Sequence, residues 1–129
     1  MCVELDADFF YLIRSFAERS GLSAEYVNRG MDALAQAKVS HPVVVFFEVD
    51  HPSQHPAWNV LEGLKADPVT RDIPVVLFSW LEDEQLALQK GADVFVRKPV
   101  MFADFLGALT TAGVCTGTNS MDVINNKRR

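Results

Sequence analysis

The chain lacks most of the features that would assign it to a function class directly. Its 129 residues include only two cysteines, Cys2 and Cys115, which form no CxxC pair, so the sequence predicts neither a disulfide framework nor a zinc site. No apolar run approaches the roughly 20 residues of a membrane-spanning helix. A glycine-rich phosphate loop and a nucleophile–base triad are also missing, which excludes two common signatures of nucleotide binding and catalysis.

Strong charge of either sign is missing too. Lys plus Arg number 12 and Asp plus Glu number 17, which gives a formal net charge of −5. This acidic balance argues against nucleic-acid binding, and the residues before Asp6 lack the basic segment of a secretory signal peptide. Apolar residues at 49% and charged residues at 22% are typical of one folded domain. We therefore expect a cytoplasmic protein that binds neither nucleic acid nor a membrane.

The chain does contain an alternation of strand and helix patterns. Continuous apolar runs at residues 43–47 and 75–78 are rich in β-branched and aromatic side chains, which is typical of central strands covered on both faces of a parallel sheet. Shorter strand candidates lie at residues 2–4, 24–27 and 94–96. The pattern predicts five strands in all.

Helical spacing fills the intervals between these strands. The first interval places apolar positions 9, 12, 13 and 16 on one face of a helix, with Asp6 or Asp8 as its N-cap. Gly91 and Gly113 are placed to end the fourth and fifth helices. Five strand–helix units predict an α/β fold whose parallel sheet has helices on both faces. In such folds the functional crevice lies at the carboxyl ends of the strands.

Polar side chains follow several of the predicted strands at this edge. We therefore expect carboxylates, one hydroxyl and one ammonium around a single crevice, together with an indole: Glu4, Asp6, Glu48, Asp50, Ser79, Trp80 and Lys98.

This ordered set resembles the receiver domain of two-component response regulators, the CheY-like domain. The resemblance is carried by residues 60–77, by Gly91-Ala92-Asp93 and by Lys98-Pro99, and it covers residues 2–113. It implies a flavodoxin-like (βα)5 three-layer sandwich with strand order 2-1-3-4-5. Residues 1–113 would form the domain, and residues 114–129 would form a flexible tail.

The resemblance also implies a phosphorylation site. In the family, an Asp at the end of the third strand accepts a phosphoryl group next to Mg²⁺, which is held by acids after the first strand. Ser79 matches the hydroxyl that holds the phosphoryl group, Lys98 matches the lysine of a cis Lys-Pro pair with Pro99, and Phe95 matches the switch aromatic. Counting back four residues from the matching proline, Pro52, places Glu48 at the acceptor position.

Glutamate at the acceptor position departs from the family pattern. Its extra methylene displaces the carboxylate by about 1.5 Å, and an error of about 1 Å in an in-line attack can cost on the order of a hundredfold in rate. Our hypothesis is that Glu48 is an inefficient phosphoacceptor. Its carboxylate would pair with Lys98 and partly imitate the phosphorylated state, as in a pseudo-receiver.

Two further departures concern the metal and the entrance to the crevice. Leu5 stands where the family carries its main metal carboxylate, although a one-residue shift would place Asp6 there. Mg²⁺ prefers oxygen ligands, so no cofactor is expected, and Mg²⁺ would bind only weakly at Glu4, Asp6 and Glu48. Trp80 follows Ser79 where the family has a small residue, and its indole would cover the entrance.

The sequence therefore favours a non-enzymatic, phosphorylation-independent signalling module. It would act on a protein partner through the surface of helix 4, strand 5 and helix 5, and the same surface would support a weak homodimer. Two alternatives remain open. One is a working phosphorelay receiver in which Asp50 or another crevice acid takes the phosphate. The other is a small flavodoxin-like ligand-binding protein, which requires an open pocket at the strand ends.

Overall fold

The computed structural model describes residues 1–3, 5–27, 33–49, 55–80 and 84–114. Glu4, Asp50 and the predicted tail from residue 115 onward lie outside these residues. Strands and helices alternate along the described part of the chain. The elements are β1 (Cys2–Val3), α1 (Ala7–Arg19), β2 (Tyr26–Val27), α2 (Ala33–Ser40), β3 (Val45–Glu48), α3 (His55–Ala66), β4 (Val75–Ser79), α4 (Glu84–Gln89), β5 (Val94–Arg97) and α5 (Phe102–Ala112).

The strands form one parallel sheet in the order β2-β1-β3-β4-β5. This confirms the flavodoxin-like α/β fold that the sequence predicts. The central strands β3 and β4 are buried along their whole length, because helices cover both faces of a parallel sheet. The third strand begins at Val45 rather than at residue 43, and Val43 is exposed just before it.

The sheet separates two hydrophobic cores. Successive side chains of a strand point to opposite faces, so Phe47 enters a largely aliphatic core with Leu61 and Leu64, whereas Phe46 enters an aromatic core with Phe105. In the aromatic core, neighbouring ring centroids lie 5.3 to 5.7 Å apart in a continuous series, which we call the aromatic column: Phe9, Phe78, Phe46, Phe105, Phe16 and Phe102.

The helix ends agree with the predicted signals. Asp6 is the N-cap of α1, and its Oδ2 accepts a hydrogen bond from the Asp8 N–H at 3.2 Å. Gly113 ends α5 in the left-handed region at φ 80°, which glycine adopts without a Cβ clash. The predicted apolar face of α1 is wrong in one position, because Leu12 is 38% exposed and Ala17 is buried in its place.

Lys65 joins α3 to the segments that precede β4 and β5. Its Nζ donates to the Ile73 carbonyl at 2.8 Å and to Asp93 Oδ2 at 2.6 Å. Gly91, which follows α4, has φ +116°, and a Cβ at this position would lie 2.8 Å from Lys65 Cγ. Glycine at residue 91 therefore allows the close approach of the two segments.

Within the described residues, none of the helices is long and apolar enough to cross a lipid bilayer.

Candidate functional site

The carboxyl ends of β3, β4 and β5 meet the first turn of α1 around an open depression of about 550 Å³. Parallel strands deliver their last residues to the same edge of the sheet, so the polar groups predicted there converge. The side chains and backbone that line the depression belong to Asp6, Asp8, Phe9, Leu12, Glu48, Trp80, Lys98, Pro99 and Val100.

A buried ion pair forms the floor of this depression. Lys98 Nζ donates to Glu48 Oε2. The Glu48 side chain is 7% exposed and the Lys98 side chain 5%. The other oxygen, Glu48 Oε1, accepts a 2.6 Å hydrogen bond from the Asp6 backbone N–H. One carboxylate thus connects the end of β3 to the N-cap of α1 and to the residue after β5, and the Glu–Lys contact expected from the sequence is present.

Two aromatic rings lie close to the Lys98 ammonium. Its Nζ lies 4.3 Å from the centroid of the Phe9 ring and 5.9 Å from that of Trp80, distances at which a cation is attracted to a ring face. The Lys98 backbone N–H donates to the Ser79 carbonyl at 2.9 Å, and the Lys98–Pro99 peptide bond is cis. The cis bond agrees with what the resemblance implies for this pair.

Ser79 and Trp80 are neighbours in the chain with opposite environments. Ser79 is buried at the end of β4, and its Oγ donates to the Val49 carbonyl. Trp80 is 58% exposed and lies in the wall of the depression. The indole therefore borders the depression with more than half of its surface facing solvent, and the expectation that it covers the entrance stays a prediction.

The described oxygen groups at which the sequence predicts weak magnesium binding already make other contacts, and Glu4 lies outside the described residues. Leu5, which the resemblance matches to the family's main metal carboxylate, is buried in the aromatic core. Both Glu48 oxygens accept hydrogen bonds from N–H donors, and Asp6 uses one carboxylate oxygen to cap α1. In the described part of the chain, no group of three His, Cys, Asp or Glu side chains is arranged to hold a metal.

Known proteins similar to this chain are response regulators. Over 98 residues it is 29% identical to the polar-differentiation response regulator DivK of Brucella ovis. This alignment covers 74% of this chain and 79% of DivK. Over 87 residues the chain is 39% identical to the response regulator PleD of Caulobacter vibrioides. That alignment covers 61% of this chain and 19% of PleD. No family model matches the chain.

Solved structures give the same fold. The signal receiver domain of a signal transduction histidine kinase from Syntrophus aciditrophicus matches with a TM-score of 0.72, 24% identity and 86% coverage of both chains. The chemotaxis protein CheY4 of Vibrio cholerae matches with a TM-score of 0.73 and 18% identity over 86% of this chain and 94% of that one. Homologues and structural neighbours together support a CheY-like response regulator receiver domain. Receiver domains generally act as signalling modules rather than as enzymes, and they interact with protein partners.

Phe95, which the resemblance matches to the switch aromatic, lies on β5 opposite Leu77 of β4 and is half-buried against the aliphatic core. Sequence reasoning missed Phe9, Leu12 and Asp8 as lining residues of the site. The signal that could have found them is the N-cap, because a helix capped at Asp6 places its first turn directly beside the end of β1.

Proposed function

We propose that this receiver domain signals without phosphorylation and acts by binding a protein partner. One observation carries the proposal: the carboxylate at the acceptor position, Glu48, is buried and already held by Lys98 and by the Asp6 N–H. In the family, the matching lysine holds the phosphoryl group. Here the Lys98 ammonium, which a phosphoryl group would need, is already paired with the Glu48 carboxylate.

Geometry supports the same conclusion. An attacking carboxylate oxygen must be available and aligned with the phosphorus atom, and misplacement by about 1 Å is costly. Glu48 Oε2 faces the Lys98 ammonium and Oε1 faces the backbone of α1. Either oxygen has to leave a donor inside a buried site before it can react, and separating a buried pair leaves two poorly solvated charges. Leu5 also supplies no metal ligand there.

The proposed partner surface is the face formed by α4, β5 and α5. The strand β5 lies at the edge of the sheet and is only partly buried. Leu88 of α4 is 43% exposed, Met101 before α5 is 65% exposed, and Arg97 is exposed at the end of β5. Apolar side chains beside an arginine are the composition that protein interfaces favour, which supports this face as the contact surface.

The test of phosphorylation independence is the intact mass of the protein after incubation with Mg²⁺ and acetyl phosphate. We expect no phosphate adduct, while a receiver domain with an aspartate acceptor, treated in parallel, gains one. An adduct that disappears in Glu48→Gln would overturn the proposal. An adduct that survives in Glu48→Gln and disappears in Asp50→Asn would also overturn it and would favour a working phosphorelay receiver.

A further inference from the structure

The depression above the Glu48–Lys98 pair has the size and walls of a small-molecule site. Its volume of about 550 Å³ is within the range of about 300–1,000 Å³ that ligand pockets occupy. Trp80, at 58% exposure, and Leu12, at 38%, both present apolar surface to it. Large apolar side chains that remain exposed beside converging polar groups are typical of a ligand site.

The charges around this depression favour a cation. Glu48 and Lys98 neutralise each other at the floor. Among the described lining residues, the other charged groups are the carboxylates of Asp6 and Asp8, both of which are exposed at the start of α1. The lining therefore carries a net charge of about two negative units. An anionic ligand would meet these carboxylates, whereas the Lys98 ammonium that would attract it is already paired.

Aromatic surface adds to this preference. Tryptophan has the strongest attraction for cations among the aromatic side chains, because the face of its ring system carries a negative quadrupole. The site itself illustrates the interaction, since Lys98 Nζ lies within 6 Å of both the Phe9 and the Trp80 ring centroids.

We propose that this depression binds a small organic cation, an amine or a guanidine on a flat or apolar body. The body packs between Trp80 and Leu12, and the charged group lies near Asp6 and Asp8. This inference goes beyond a protein-binding function. It does not depend on the absence of phosphorylation, because a phosphate adduct and a bound cation are measured separately.

The experiment uses the two tryptophans as reporters. In a heteronuclear NMR titration, each indole N–H gives one signal. Trp58 is 5% exposed in the aliphatic core and does not line the depression, so it serves as an internal reference for Trp80. Benzamidinium is the probe, and neutral benzamide, which has almost the same shape, is the matched control ligand. We expect saturable shifts of the Trp80 signal with benzamidinium and weaker binding of benzamide.

Variants separate the two parts of the site. Trp80→Ala removes the indole reporter, so binding to this variant is followed by the backbone amide signal of Leu12, which also lines the depression. This change should weaken benzamidinium binding by about fivefold, the size of a partly exposed cation–aromatic contact, and Asp8→Asn should weaken it by about threefold. Two controls carry the same changes elsewhere: Tyr11→Ala removes an exposed ring, and Asp72→Asn removes an exposed carboxylate. Neither should change the affinity.

Each other result overturns the proposal. The absence of saturable shifts up to millimolar benzamidinium shows that no such site exists. Equal affinity for benzamide shows that the depression selects apolar bodies and not cations. An equal loss in Asp72→Asn and Asp8→Asn shows that the probe follows the net charge of the protein. Unchanged binding in Trp80→Ala places the probe away from the depression.

Discussion

Removing the ammonium of Lys98 should destabilise the domain by several kcal/mol. In Lys98→Met the stem of the side chain remains, but the Glu48 carboxyl group, at 7% exposure, loses the Lys98 ammonium. Breaking a buried pair by removing one partner typically costs about 3–5 kcal/mol. The Asp6 N–H still donates to Glu48 Oε1, and hydrogen bonds to charged groups retain about 1.5–3 kcal/mol. We therefore expect the lower end, about 3 kcal/mol.

A double-mutant cycle identifies the source of this loss. Domains of this size are stable by about 5–15 kcal/mol, so the single variants should remain folded enough for urea unfolding followed by circular dichroism. Glu48→Gln leaves the buried Lys98 without its counterion and should also cost about 3 kcal/mol. In the double variant neither charge is present, so its loss should be smaller than the sum of the single losses by about 2 kcal/mol or more.

The exposed pair between Lys90 and Glu62 is the matched control. Lys90 Nζ lies 3.3 Å from Glu62 Oε2, and the Lys90 and Glu62 side chains are 35% and 50% exposed. Lys90→Met should cost less than about 1 kcal/mol, as solvent-exposed pairs do. If Lys98→Met costs no more than Lys90→Met, or if the effects of the Glu48 and Lys98 changes add, the interpretation of the site as a tightly held buried pair is refuted.

Two further predictions concern glycine 91 and the first strand. Gly91→Ala should lower the free energy of unfolding by about 1–3 kcal/mol, because the residue has φ +116° and the added methyl meets Lys65 Cγ at 2.8 Å. In contrast, a Cβ added at Gly107 in α5 would lie within 4 Å of no other atom that could obstruct it. Gly107→Ala should therefore raise the free energy of unfolding by up to about 1 kcal/mol. Urea unfolding of both variants checks that one change destabilises the domain and the other stabilises it. Burial raises the pKa of the Cys2 thiol from 9.0 to about 11. The unfolded chain therefore loses this proton first, and stability that is complete below pH 9 should fall towards pH 11 by up to about 1.4 kcal/mol per pH unit. Cys2→Ala should lack this decline, and a decline of the same size in Cys2→Ala would contradict the assignment.

The fold could be predicted from the sequence because its signals are local and agree with one another. Apolar runs without alternation identify β3 and β4, and Gly113 marks the end of α5. The structure differs from these patterns at their edges. Val43 continues the apolar run but precedes the strand, and Leu12 follows the helical spacing but faces the depression. Spacing identifies a helix face, whereas the neighbouring element decides which of its residues are covered.

The site was predictable in composition and less so in geometry. The order of strands places Glu48, Ser79 and Lys98 at one edge, and the Glu48–Lys98 contact follows from opposite charges in a confined space. The hydrogen bond from the Asp6 N–H depends on the path of the backbone between β1 and α1, which no side-chain pattern encodes. The exposure of Trp80 likewise depends on which direction the chain takes after β4.

The aromatic column gives the depression and α5 a shared packing. Phe9 borders the depression and touches Phe78, and the series of rings continues along the same face of the sheet to Phe105 and Phe102 of α5. Close-packed rings leave little space for one member to move alone. A molecule that enters beside Trp80 and leaves the Phe9 ring in place is accommodated without rearrangement. A molecule that displaces this ring has to shift the neighbouring rings as well, so the shape of the bound molecule decides whether binding alters the packing of α5.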